Sequence, residues 1–215
     1  MGKSIDDRAK AKRETLQLRR LETLTDVVYG IVIWNIFTLI PAPDGEWPWD
    51  SIGSFLTSNL FTFALVLVGV VISIIYWLQN NALFGNLERT DARHTAFSIF
   101  QLFFLLIFLY SIHLGVAVGA SVATRVFESC AVILMGIASA SAWSYATKNR
   151  RLLLPEVSDQ YARELADRTL AEPITAIITI PFAFAGPILW EIAWLSYLLV
   201  VLVIRRRRRV TNPVK

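Results

Sequence analysis

The chain has 215 residues, of which 55% are hydrophobic and 12% aromatic, and its mean hydropathy is +0.52. A soluble domain averages about 45–50% apolar residues even with glycine counted. This composition is therefore too apolar for an ordinary soluble domain and points to an all-α protein that crosses a membrane several times. The net charge of +4 is modest, and gives no sign of nucleic-acid binding.

The first 22 residues are polar and mixed in charge, so no cleavable signal peptide is expected. Six apolar runs follow, each near the ~20 residues that a bilayer core requires. Their expected bounds are 24–40, 54–78, 96–118, 124–147, 171–186 and 187–204. The chain then reads as a cytoplasmic segment at 1–23, a membrane domain at 24–204 and a basic tail at 205–215. Residues 152–169, between the fourth and fifth runs, have room for a short surface helix.

The cations follow this division. Lys3, Arg8, Lys10, Lys12, Arg13, Arg19 and Arg20 precede the first run, Arg89 and Arg93 lie between the second and third, and Lys148, Arg150, Arg151, Arg163 and Arg168 between the fourth and fifth. Arg205 to Arg209 and Lys215 follow the last. Alternating crossings place all of these on one side, with Arg125 the exception, and the positive-inside rule makes that side cytoplasmic. Both termini are then expected inside. The arginine run reads as a stop-transfer and topology anchor, with binding of anionic lipid as the sharper alternative. The opposite loop, 41–54, carries Asp44, Glu46 and Asp50 with Trp47 and Trp49, which suits a solvated loop with an interfacial aromatic belt.

Within the first run, a helical period of about 100° per residue puts Leu24, Val27, Ile31, Asn35 and Thr38 on one face. Asp26, Ile33, Ile36 and Ile40 lie toward the other. Asn35 is costly in lipid, so it must face protein or a water-filled cavity. An interhelical hydrogen bond satisfies that need as well as a pore does. Asp26, a carboxylate at the mouth of a span, needs a partner and is a functional-site candidate for that reason.

Other polar groups have plain readings. Arg125 and Glu128 are spaced to pair along one helix. His113 and Glu128 are expected near the outer ends of their spans, Glu191 at an interface, and Glu172 at a helix N-terminus, where its charge is favourable. Cys130 is the single cysteine, with no partner for a disulfide and no metal-ligand neighbours. No His-Glu-x-x-His, Gly-x-Ser-x-Gly or paired-cysteine motif occurs, so no enzyme activity, cofactor or metal site is expected.

The stretch Arg20-Leu-Glu-Thr-Leu-Thr-Asp26 resembles the Arg-x-x-x-Phe-Ser-Asp signature of the transmembrane protein 175 family of potassium channels. Leu24 stands where that family has Phe, and Thr25 where it has Ser. Further along, Tyr76-Trp77-Leu-Gln-Asn80-Asn81-Ala-Leu83-Phe84 resembles the family's Trp-x-x-His-His-x-Leu-Phe pattern. His94 and Phe97, Trp143-Ser-Tyr-Ala-Thr with the later Leu-Pro155, and Ala185-Gly-Pro187 are also similar to family features. The resemblance implies a bacterial cell-membrane channel of six spans per subunit, assembled as a homotetramer, with K⁺ as the permeant ion and membrane lipids as its surroundings. It also implies a pore lined by the first span, without a Thr-Val-Gly-Tyr-Gly filter.

The constriction positions implied are Ile31, Asn35 and Thr38, with Ile31 as the main apolar layer. Asn35 and Thr38 depart from the apolar residues usual there, which implies a wetter pore. The resemblance also implies a structural network of Arg20, Thr25, Asp26, Trp77 and Asn81. Asn81 replaces a histidine, which keeps a donor and an acceptor but loses a titratable group. A proton-conducting channel, a secondary transporter and a non-conducting scaffold remain as alternative readings.

Overall fold

The computed structural model describes residues 5–40, 52–118 and 121–211. The acidic loop with Asp44, Glu46, Asp50, Trp47 and Trp49 lies outside them, as does Lys215. The described chain is all-α: α1 (Ile5–Phe37), α2 (Ile52–Ser58), α3 (Leu60–Phe84), α4 (Ala92–Val118), α5 (Val122–Thr147), α6 (Asp159–Ala185), α7 (Pro187–Ala193) and α8 (Ser196–Thr211). Among the described residues there is no strand, and Leu87 and Leu153 form an isolated antiparallel bridge. Among the described residues, three segments are long and apolar enough to cross a membrane: Ala92–Gly115, Val122–Arg150 and Pro187–Ile204. In α3 the apolar stretch Gly69–Phe84 is shorter. In α1 and α6 the first half is polar and only the second half is apolar.

Two differences from the sequence expectation have clear causes. The segment before residue 24 is helical from Ile5, continuous with the first apolar run. Its Arg, Lys, Glu, Leu and Ala residues are strong helix formers, so charge does not end the helix. Residues 159–185 form one helix rather than a surface helix followed by a span. Ser158 caps its start by accepting from the Tyr161 N–H at 3.2 Å. Glu172 therefore lies buried in mid-helix, not at an N-terminus.

The chain divides into two compact units, residues 20–85 and residues 1–19 with 86–215. In the larger unit, α5 packs on α4 and α6. Its buried side is small: Ala131, Gly136, Ala138, Ser139 and Ala142 let a neighbouring helix approach closely. A Cβ at Gly136 would lie 2.6 Å from Pro173 Cδ, so Pro173 nests against bare backbone. Several polar groups inside this packing are paired. Thr179 and Ser129 hydroxyls meet at 2.9 Å, and Trp190 Nε1 donates to Ser129 Oγ at 3.2 Å, joining α5, α6 and α7. Trp143 Nε1 donates to the Ala162 carbonyl at 2.9 Å. Arg125 donates from Nε and Nη2 to the Ala183 carbonyl at 3.1 and 2.9 Å, placing a cation at the C-terminal end of α6. His113 Nδ1 lies 3.3 Å from the Leu109 carbonyl of its own helix. Gly186, at φ 125°, then turns the chain into α7, a conformation open to glycine and strained for other residues.

The α5–α6 loop is pinned by Arg150. Its guanidinium reaches Asp159 Oδ1 at 2.7 Å and the carbonyls of Leu154, Pro155 and Val157 at 3.3, 3.1 and 2.7 Å. These bonds hold Asn149 and Arg150 at positive φ, 57° and 53°.

Candidate functional site on the first helix

The site lies in the unit of residues 20–85. There α1 presents two unlike faces. Thr25, Tyr29, Val32 and Ile36 recur at helical spacing and are buried to 1–2% exposure. Leu24, Val27, Ile31, Trp34 and Phe37 are 45–70% exposed. Asn35 is half-buried and Thr38 exposed on that same open side.

The buried face meets α3 at three levels. A Cβ at Gly69 would lie 3.2 Å from Ile36 Cγ2, so Gly69 admits the Ile36 side chain. Asn80 Nδ2 donates to the Tyr29 hydroxyl at 2.8 Å. Trp77 Nε1 donates to Asp26 Oδ1 at 2.7 Å. Asp26 and Tyr29 meet Trp77 and Asn80 in the last turns of α3, whereas Ile36 near the end of α1 meets Gly69 in the first half of α3, so the two helices run antiparallel. A donor on a carboxylate makes a charge-assisted bond, roughly twice as strong as a neutral one.

The open face is tied to its own backbone. Asn35 Nδ2 donates to the Ile31 carbonyl at 2.9 Å. Thr38 Oγ1 donates to the Asn35 carbonyl at 2.7 Å. A carbonyl can only accept, so one of the two Asn35 amide N–H groups and the Thr38 proton are engaged. These side chains still offer oxygen, the Asn35 Oδ1 and the Thr38 lone pairs, beside the second Asn35 N–H. The end of the helix tightens here, with Leu39 N–H to Ile36 O at 3.1 Å and Ile40 N–H to Phe37 O at 3.2 Å.

Of the residues singled out from sequence, Ile31, Asn35 and Thr38 share one open side, and Asp26 and Trp77 touch. Thr25 is buried, and its hydroxyl donates to the Leu21 carbonyl at 2.9 Å. Arg20 is exposed. Neither Arg20 nor the Asn81 side chain makes a hydrogen bond or ion pair with a described residue. Two residues that sequence reasoning passed over matter more: Asn80, one position from Asn81, and Tyr29, its partner. The signal was available, because Thr25, Tyr29, Val32 and Ile36 form a stripe of their own. No group of three or more potential metal ligands occurs among the described residues. The chain matches no family model and no curated protein.

Proposed function

We propose that this protein is a potassium-preferring cation channel, a homotetramer whose pore is lined by the open face of α1 from each copy. The reading includes six crossings per subunit, both termini in the cytoplasm of a bacterial cell, K⁺ as permeant ion, and no cofactor or catalytic residue. The observation that carries it is the division of α1. One face is packed and hydrogen-bonded on α3, while Val27, Ile31 and Thr38 stay uncovered in a single chain and Asn35 is half-buried beside them. The resemblance of residues 20–26 and 76–84 to the transmembrane protein 175 family supports the same assignment.

The mechanism follows from those side chains. Four Ile31 side chains around an axis form a narrow apolar collar. Such a collar gates by dewetting and disfavours ions that hold water tightly. K⁺ sheds its water more readily than Na⁺, so the collar passes K⁺ preferentially. Rings of Asn35 Oδ1 and Thr38 Oγ1, with one Asn35 N–H and the Thr38 proton already engaged within the helix, supply oxygens to a partly dehydrated cation on one side of it. The Asp26–Trp77 bond holds the helix on α3 rather than touching the ion.

The test is K⁺ flux into proteoliposomes, with Na⁺ substitution and Ile31→Ala in parallel. Wild type should carry K⁺ faster than Na⁺, and Ile31→Ala should lower the K⁺/Na⁺ ratio several-fold. An unchanged ratio removes Ile31 from selection. No flux from a well-folded oligomer rejects the channel.

A further inference from the structure

The larger unit carries a cleft that conduction does not use. It encloses about 380 Å³ and is lined by Lys10, Glu14, Arg89, Asp91, Arg151 and Leu152. Its floor is held by backbone bonds. Glu88 N–H donates to Leu152 O at 2.9 Å, Leu154 N–H to Asn86 O at 3.1 Å, and Thr90 N–H to Glu14 O at 3.4 Å.

Three cations face two carboxylates here, and the carboxylates are already engaged. Glu14 Oε2 lies 3.6 Å from Arg89 Nε. Asp91 Oδ1 accepts from the N–H groups of Arg93 and His94 at 3.1 and 3.0 Å, and Oδ2 accepts from the Tyr145 hydroxyl at 2.7 Å. Burial pushes the Asp91 carboxyl up, but the bonds from His94, Tyr145 and Arg93 together outweigh it and hold the carboxyl below its ordinary value. The cations have donors to spare. Arg151 Cζ lies over the Tyr145 ring, 4.7 Å from its centroid, and its guanidinium makes no hydrogen bond or ion pair with a described residue. Lys10 is exposed and makes no ion pair or hydrogen bond with a described residue.

We propose that this cleft binds a phosphate group, held by Lys10, Arg89 and Arg151. Planar guanidinium forks match phosphate oxygens, and a lysine adds a point charge. The position favours a phosphate borne by lipid. The apolar segment Ala92–Gly115 begins one residue after Asp91, and Val122–Arg150 ends one residue before Arg151. The cleft therefore sits where two candidate spans leave the bilayer together, at headgroup depth. A soluble phosphate has the same chemistry, so the experiment separates the two sources. The assignment is independent of ion conduction.

Native mass spectrometry of the full-length protein, released from micelles doped with dioleoylphosphatidylglycerol, reads the lipid source. Thermal unfolding against inorganic phosphate reads the soluble one. Lys10→Gln, which removes an unpaired exposed cation, should retain the fold and weaken retention about threefold. Lys10→Gln with Arg151→Gln should weaken it about tenfold or more, whereas the control Arg206→Gln should leave it unchanged. Lipid retention that follows this order supports a headgroup site. Stabilisation by inorganic phosphate in the same order, without lipid retention, supports the site with a soluble ligand. Equal behaviour of wild type and the double variant toward both probes, or an equal loss in Arg206→Gln, overturns the proposal.

Discussion

Asn35 and Asp91 show how hydrogen-bond direction decides what a side chain has left to offer. Asn35 donates to its own helix and keeps an acceptor. Asp91 accepts three bonds and keeps little to give a ligand. The Asp91 bonds also carry a pH signature. They hold its carboxyl below the ordinary value of 3.8. A carboxyl lowered in the folded state contributes stability that is fully present above the unfolded value and is lost as pH falls through the folded one. Asp91→Asn should therefore unfold more easily than wild type near neutral pH, and the gap should close as pH falls below 3.8. Thermal unfolding across that range checks this, and a gap that stays constant with pH contradicts it. On α3, Asn80 rather than Asn81 makes the hydrogen bond to α1. One residue on a helix is a rotation of about 100°, and adjacent identical side chains leave nothing in the sequence to choose between them.

The helices were legible where the apolar pattern and the ends agree. Runs 96–118 and 124–147 anticipated α4 and α5 within a few residues, because long apolar stretches there are bounded by charge or polar caps. The pattern failed for α1 and α6, where the polar half of a helix looked like a tail or a loop. In α6, Glu172 read as a helix start, yet the helix runs on through Pro173, which sits against Gly136, where α5 has no side chain to obstruct its ring. That pairing is a property of two helices together and is invisible to either alone. Gly136→Ala should destabilise the protein by about 1–3 kcal/mol, although alanine is the better helix former by about 1 kcal/mol. Gly115→Ala in α4, where a Cβ meets nothing within 4 Å, should be neutral or stabilising. Equal unfolding midpoints for the two variants would contradict the close α5–α6 approach. Arg150 was likewise read only as a topology charge, whereas its four bonds shape the turn between the same helices.

For the whole molecule, a row of Val27, Ile31 and Trp34 at 49–70% exposure is an unfinished surface. Lipid covers such a row without further help, but lipid does not account for Asn35 and Thr38 within it, whose free oxygens find no acceptor-seeking group in hydrocarbon. A water-filled axis shared by several copies, the pore proposed above, would satisfy both parts of the row. Cysteine accessibility along α1 tests it most directly, in a Cys130→Ser background that removes the single native thiol. K⁺ flux would be followed in proteoliposomes while a charged, water-soluble thiol reagent is added. Ile31→Cys, Asn35→Cys and Thr38→Cys should each be blocked, while Val32→Cys and Ile36→Cys, on the face buried against α3, should conduct unaffected. Block at Val32 and Ile36 with none at Ile31, Asn35 and Thr38, or no block anywhere along the helix, would contradict a pore lined by this face of α1.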